Sequence, residues 1–279
     1  MPEITRDDGF VIHFEERGNP EAPPVVLLHG FTSDLRSWHQ QFGVLGDDYR
    51  VIAMDLRGHG KTTAPEDPAE YTMAAHVADV RSLLEALDVP LCALVGSSFG
   101  GMVAAQLAVE SPERLAALVL SDTSAAYDDP RYAADYWKRE RGIDRSCTTV
   151  AKFGTTALGK EVAAGIGDAF LREGIIRRYA ALTAESYLGT ARIRRERPNL
   201  LAVVHERITA PVLICAGDRD PVRSASEVLA AELPDARFVL FRNAGHTVPL
   251  HRPAAFSETV LRFLRNVEDG VAVAGHEES

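Results

Sequence analysis

The sequence contains little cysteine, no long apolar run and fewer basic than acidic side chains. Its 279 residues include three cysteines, which lack the spacing of a disulfide framework or a metal site. This usage predicts a reducing, cytoplasmic environment. The 30 Lys and Arg are outnumbered by 40 Asp and Glu, and the net charge of −10 argues against nucleic acid as a partner. No apolar run reaches the roughly 18 residues of a membrane helix, and the first residues lack the pattern of a signal peptide, so no membrane partner is expected.

Short apolar segments alternate with helical patterns along most of the chain. The stretch FVIHFEERG alternates in polarity and predicts an early antiparallel strand. Continuous apolar runs are typical of strands that are buried on both faces; they are PPVVLLHG, YRVIAMD, CALVG, LAALVLSD, APVLICAGD and RFVLF. Residues 72–89 place apolar side chains at helical spacing between two of these runs. The alternation predicts an α/β fold with a mostly parallel sheet and helices on both faces.

Two segments break this alternation. Residues 123–205 contain no strong strand pattern and predict several short helices inserted between the sixth and seventh strands. Residues 266–279 are small and acidic and follow a helical segment, so we predict a disordered tail there.

The stretch LVGSSFGGMVA holds the strongest catalytic motif. Its residues 96–100 match G-x-S-x-G at Ser98, between a predicted strand and a predicted helix. In such a sharp turn the neighbouring backbone segments come close, which explains the flanking glycines. Ser98 would then lie at a helix N-terminus, where the dipole and free N–H groups favour negative charge. We predict that Ser98 is a nucleophile.

A serine nucleophile needs a base and a group that orients the base. His246 follows the last strand and Asp220 follows the strand before it, which gives the chain order serine, acid, histidine. Asp218 is a local alternative to Asp220, with turn stabilisation as its other role. Asp122 is a second alternative, at the end of the sixth strand. Chain order and loop position favour Asp220.

Two backbone donors and two substrate contacts complete the predicted site. The Gly30-Phe31 turn follows the third strand, so the N–H of Phe31 could bind an oxyanion together with that of Phe99. Gly30 and Trp137 are candidate substrate-binding residues. Trp137 and the other aromatic residues of 123–205 could instead pack the inserted helices together.

These motifs together resemble those of the α/β-hydrolase superfamily, in its serine-nucleophile branch of esterases, lactonases and enol-lactonase-like proteins. The matching motifs occur in the family's order; they are HGFTSD, DLRGHGKT, GSSFGG, GDRDPV and NAGHTVPL. The resemblance implies an eight-stranded core formed by residues 1–122 and 206–265. It also implies that residues 123–205 form a helical cap over the substrate pocket.

Departures from other branches narrow this resemblance. Ser98 stands where haloalkane dehalogenases and epoxide hydrolases use a carboxylate. Thr247, Val248 and Pro249 follow His246, without the aromatic neighbours common in hydrolases that cleave C–C bonds. The resemblance therefore favours esterases and lactonases.

Charge is distributed unevenly between the two parts. Residues 123–205 hold 14 Lys and Arg against 10 Asp and Glu, whereas the rest of the chain holds 16 against 30. A basic cap could attract an anionic substrate such as a carboxylate-bearing ester. Alternatively, its run of arginines could form a solvated helix face, which is the commoner role of charge runs. These arginines are Arg192, Arg194, Arg195 and Arg197.

The sequence thus predicts a hydrolase that needs no cofactor or metal and cleaves a small or medium carboxylic ester or lactone through an acyl-enzyme. Two alternatives use the same residues, namely C–C bond hydrolysis and peroxide-dependent chemistry. A third is a ligand-binding protein with slow turnover. The predicted partner is a small-molecule substrate, and the sequence leaves a homodimer open.

Overall fold

In the computed structural model, which describes residues 2–279, nine strands form one sheet in the order β1-β2-β4-β3-β5-β6-β7-β8-β9. The strands are β1 Glu3–Thr5, β2 Val11–Arg17, β3 Pro24–Leu28, β4 Arg50–Met54, β5 Cys92–Ser97, β6 Leu115–Ser121, β7 Val212–Gly217, β8 Arg237–Phe241 and β9 Gly275–Glu278. Strand β2 is antiparallel to both of its neighbours, and the strands from β4 onward in this order are parallel. This confirms the mostly parallel α/β architecture.

The central strands are apolar at nearly every position because helices cover both faces of the sheet. Val26 and Leu28 of β3 pack into one core layer, whereas Val25 and Leu27 pack into the other. Adjacent residues of a strand point to opposite faces, so a run without alternation buries both of its sides.

Ten helices connect or follow these strands in residues 2–279. They are α1 His39–Leu45, α2 Met73–Ala86, α3 Phe99–Glu110, α4 Ala134–Ala163, α5 Ala169–Ala180, α6 Ala184–Glu196, α7 Val204–Arg207, α8 Arg223–Glu232, α9 Val248–His251 and α10 Pro253–Glu268. The described chain contains no helix that is both long and apolar enough to cross a membrane.

Four of these helices, α4 to α7, lie between β6 and β7, where the sequence predicts an insertion. Helix α4 spans 30 residues in a part of the chain where the sequence predicts several short helices. It is interrupted at Gly154, whose φ of 80° and ψ of 170° are not helical. Glycine adopts this positive φ without a steric penalty, so one helical segment ends and the next begins at this residue.

The predicted disordered tail and the predicted count of eight strands are both wrong. Helix α10 continues to Glu268, and β9 then pairs in parallel with β8. Val273 is buried against one core layer, and Glu277 forms ion pairs with Arg237 and Arg262, each at 2.7 Å. The exposed edge of β8 offers unpaired backbone groups, and these contacts hold the tail against that edge.

Candidate active site

Ser98 occupies a strained turn between β5 and α3. Its φ of 52° and ψ of −114° lie in a region that residues with side chains rarely adopt. Two contacts hold this conformation: the Ser98 N–H donates to the Ser121 carbonyl at 2.8 Å, and the Thr123 hydroxyl donates to the Ser98 carbonyl at 2.7 Å. The turn therefore presents the serine at the carboxyl end of the sheet.

The glycines around Ser98 allow two backbone segments to approach each other. A Cβ atom on Gly96 would lie 2.5 Å from the Gly100 carbonyl oxygen, and one on Gly100 would lie 2.2 Å from the Leu28 oxygen. Both distances are shorter than atoms tolerate, which confirms the crowding that the motif predicts.

A chain of hydrogen bonds joins Ser98, His246 and Asp220. The Ser98 Oγ lies 2.8 Å from His246 Nε2. On the other side of the ring, His246 Nδ1 lies 3.0 and 3.1 Å from the two carboxylate oxygens of Asp220. Nδ1 therefore donates to the carboxylate, which leaves Nε2 as the acceptor for the serine proton. This is the arrangement in which imidazole can act as a base towards a hydroxyl.

The surroundings keep His246 neutral and Asp220 ionised. Burial and then the nearby charge of Arg139 lower the pKa of His246, against the opposing effect of Asp220. Burial by itself would raise the pKa of Asp220. The charge that His246 carries when protonated, its hydrogen bond and the Val222 N–H bring this pKa below its usual value.

Asp122 and Asp218 have other partners. Asp122 is fully buried, and one of its oxygens accepts from the Ser121 hydroxyl at 2.6 Å and the Val248 N–H at 2.8 Å. Burial and then the Asp220 charge raise the pKa of Asp122 well above its usual value. Asp218 accepts from the Ala244 N–H at 3.1 Å, a turn-stabilising contact.

Asp122, Asp220 and His246 offer ligand atoms within 4.8 Å of one another, a spacing that a metal ion could bridge. The hydrogen bonds of this group already account for the spacing. His246 uses one ring nitrogen for Asp220 and the other for Ser98. Both ring nitrogens of His246 are thus engaged by protein groups.

A cavity of about 240 Å³ opens onto Ser98 and His246. Gly30 and Phe31 line it, and Phe99 begins α3 beside it. Trp137, the other predicted substrate contact, is not among the described residues that line this cavity. It packs edge-on against Tyr127 and Tyr136, at centroid distances of 6.0 and 5.2 Å.

The arginines in the cavity wall are Arg139 of α4 and Arg178 of α5, which the sequence did not single out. The basic run of α6 plays other roles. Arg194 and Arg197 are 2% and 8% exposed, so the interpretation of this run as a solvated face is wrong for both. Arg192 donates to the carbonyls of Pro68 and Tyr71.

Comparisons with known proteins agree with this fold and its motifs. The family model of the α/β hydrolase fold matches residues 23–253. A protein of Bacillus subtilis (strain 168) is 30% identical over 95% of this chain and 98% of its own. Its provisional name is 2-succinyl-6-hydroxy-2,4-cyclohexadiene-1-carboxylate synthase. The 3-oxoadipate enol-lactonase 2 of Acinetobacter baylyi is 27% identical over 92% of this chain and 94% of its own.

A solved structure adds a similar result. A thermophilic esterase from Thermogutta terrifontis, determined with malate bound, superposes with a TM-score of 0.80 at 27% identity, covering 96% of this chain and 99% of the esterase. The match to the family model spans most of the chain and includes Ser98 and His246. The chain therefore belongs to the α/β-hydrolase family and is a hydrolase.

Proposed function

We propose that this protein hydrolyses a small or medium carboxylic ester or lactone through an acyl-enzyme on Ser98. The observation that supports the proposal most directly is the continuous hydrogen-bond chain from Ser98 through His246 to Asp220. A hydroxyl is a weak nucleophile near neutral pH, and this chain supplies the base that it needs.

Each step of the proposed reaction uses a group at the site. Ser98 Oγ attacks the carbonyl carbon while its proton moves to His246 Nε2. The N–H groups of Phe31 and Phe99 form the proposed oxyanion hole, and the N-terminus of α3 adds its dipole. His246 then gives the proton to the departing alkoxide, which leaves an acyl ester on Ser98. Water attacks that ester as its proton moves to His246, and Ser98 recovers this proton when the acid departs.

The proposed substrate class is supported by the relatives and by the cavity. The enol-lactonase and the esterase are both named for the hydrolysis of acyl–oxygen bonds. A cavity of about 240 Å³ suits a compact substrate better than a long acyl chain. Helices α4 and α5 supply part of its wall, so we propose that residues 123–205 act as the cap. The three cysteines are all free, which supports the proposed cytoplasmic location.

An acyl-enzyme should be detectable with activated esters. We expect 4-nitrophenyl acetate and butyrate to give a rapid burst of nitrophenol, followed by slower steady turnover. Mass spectrometry of the quenched protein should place the acyl group on the peptide that contains Ser98. Simple lactones and a C–C cleavable diketone, tested in parallel, would show which bond is preferred.

Other outcomes would contradict the proposal. Acyl transfer to a peptide without Ser98 would show that Ser98 is not the nucleophile. Tight binding of esters and lactones with no turnover would favour a ligand-binding protein. Faster cleavage of the diketone than of any ester would favour C–C hydrolysis.

The two neighbouring carboxyls should differ sharply in their effect on catalysis. Asp220→Asn removes the charge that orients and stabilises His246, and kcat should fall by roughly 10⁴-fold. Asp122 faces no catalytic proton and has a raised pKa, so the neutral amide of Asp122→Asn should reduce kcat by roughly tenfold at most. Steady-state kinetics on both variants measures this contrast, and the opposite order would assign the acid to Asp122.

A further inference from the structure

The cavity above Ser98 has two guanidinium groups in its wall and no carboxylate. Arg139 enters from α4 and Arg178 from α5, and none of the residues that line the cavity in the described chain is Asp or Glu. The whole protein has a net charge of −10, so a wall with only basic charge is not a sample of the average surface. Such a wall favours an anionic group in the cavity.

The positive charge around Arg139 is only partly neutralised by the protein. Its side chain is 19% exposed, and Nη1 lies 2.9 Å from Glu140 Oε1. The same oxygen also accepts from Arg194 at 2.6 Å, so two guanidinium groups share one carboxylate. The other Glu140 oxygen and Nη1 of Arg194 are buried without a partner. Burial of charge without a full counter-charge is costly, and an anionic ligand would reduce this cost.

Arg178 has no anionic partner among residues 2–279. Its guanidinium approaches the ring of Tyr179, with the carbon 5.9 Å from the ring centre, and its Nε is buried without an acceptor. The adjacent Arg177 is different, because it points to solvent and pairs with Glu173 at 3.6 Å. Helix α5 therefore directs one of two consecutive arginines into the cavity.

The position of Arg139 also places the anion close to the reacting carbonyl. Its Nη2 lies 3.2 Å from His246 Nε2, the same nitrogen that accepts from Ser98. A ligand group bound by Arg139 would lie within a few ångströms of the nucleophile. In a cavity of about 240 Å³, only a short spacer fits between that group and the ester.

We propose that Arg139 and Arg178 bind a carboxylate carried by the substrate, so that the preferred ester or lactone is the half-ester or lactone of a short dicarboxylic acid. This inference rests on the proposed function and specifies its substrate class. A guanidinium fork matches the two oxygens of a carboxylate, and charge-assisted hydrogen bonds of this type are the strong ones.

A pair of substrates that differ only in charge tests the proposal. The 4-nitrophenyl half-ester of glutaric acid carries a carboxylate, and 4-nitrophenyl 4-carbamoylbutanoate has a neutral amide in its place. We expect the native protein to prefer the carboxylate by roughly 10- to 100-fold in kcat/KM. Arg139→Gln and Arg178→Gln should each reduce this ratio by roughly tenfold, mainly through the carboxylate substrate. The matched control, Arg177→Gln, should leave the ratio unchanged.

A binding measurement separates failure of this inference from failure of the proposed function. Calorimetry on Ser98→Ala protein should detect glutarate but not glutaramide, and Arg178→Gln in that background should weaken glutarate binding by roughly tenfold or more. If both esters are cleaved equally well by Ser98, the anion proposal is overturned and the hydrolase proposal stands. If glutarate binds through Arg178 but no ester is cleaved, the anion proposal stands and the hydrolase proposal is overturned. Equal binding of glutarate and glutaramide would overturn the anion proposal whatever the turnover.

Discussion

Replacement of Ser98 by alanine is expected to reduce ester turnover by roughly 10⁴- to 10⁶-fold, because it removes the atom that forms the acyl-enzyme. His246 and Asp220 are expected to keep their places, since their own hydrogen bond does not involve Ser98. The residual rate should resemble that of water attack assisted by the remaining oxyanion donors. Steady-state assays with 4-nitrophenyl butyrate measure the loss.

Covalent labelling provides the matched control, because a second serine stands beside the first. Ser97 is 5% exposed and also lines the cavity, but no hydrogen bond joins it to His246 in the described chain. A fluorophosphonate should label the native protein and Ser97→Ala, and should not label Ser98→Ala. Labelling of Ser98→Ala at the native rate would show that another residue is the nucleophile.

Loss of the Ser98 hydroxyl should not change the free energy of unfolding appreciably. Alanine keeps the same Cβ strain at φ 52°, whereas Ser98→Gly should relieve it and raise the free energy of unfolding by about 1 kcal/mol. Urea unfolding of both variants thus separates loss of chemistry from loss of structure. A large drop in stability for Ser98→Ala would mean that the missing activity is a folding effect.

The nucleophile turn could be predicted from sequence because its geometry restricts residue type locally. Only glycine leaves room for the Leu28 carbonyl beside residue 100, so the steric requirement is written directly into the motif. The places of Asp220 and His246 follow from strand order, since parallel strands end at one edge of the sheet. Motifs and their order are therefore sufficient to predict the fold class and the meeting of these three side chains.

The arginines of the cavity could not be chosen in the same way. Residues 123–205 contain many basic side chains, and helical periodicity does not show which of them face a cavity formed by two separate helices. The arginines of α6 form the most obvious basic run, yet Arg194 is buried and paired with Glu140. Arg139 is distinguished by its distance to His246, a contact 107 positions apart in sequence.

The tail was mispredicted for a related reason. Its short VAVA segment and its glutamates are unremarkable alone, and β9 forms because Arg237, Arg242 and Arg262 lie opposite them. Long-range pairing of this kind overrides local propensity in sheets.

Acid is expected to destabilise the protein through three buried histidines beside the nucleophile turn. His29, His59 and His76 are at most 1% exposed. His29 donates from Nδ1 to the Gly30 carbonyl at 2.8 Å and accepts the Leu56 N–H at Nε2, which requires a neutral ring. Burial lowers the pKa of all three, to about 3 for His59 and about 4 for His76.

The difference in proton uptake between the folded and unfolded states determines how stability changes with pH. Below the unfolded pKa of 6.5, the unfolded chain protonates these rings while the folded protein does not, so stability falls as the pH decreases. The decrease continues until the pH reaches the folded values near 4 and 3. His59 and His76 each contribute a slope of about 1.4 kcal/mol per pH unit between 6.5 and their folded values. At pH 5 the loss is about 2 kcal/mol for each of His59 and His76, a large part of a typical stability.

Differences between variants isolate this effect from opposing groups. The raised pKa values of Asp79 and Asp122 act in the opposite sense, because the folded state holds those protons more tightly. His76→Gln can retain a donor towards the Thr72 carbonyl and removes one titrating ring. We expect its free energy of unfolding in urea, measured from pH 6 to pH 4.5, to fall less steeply than that of the native protein by about 1.4 kcal/mol per pH unit. Parallel curves for native protein and His76→Gln would show that the buried ring takes up its proton without unfolding.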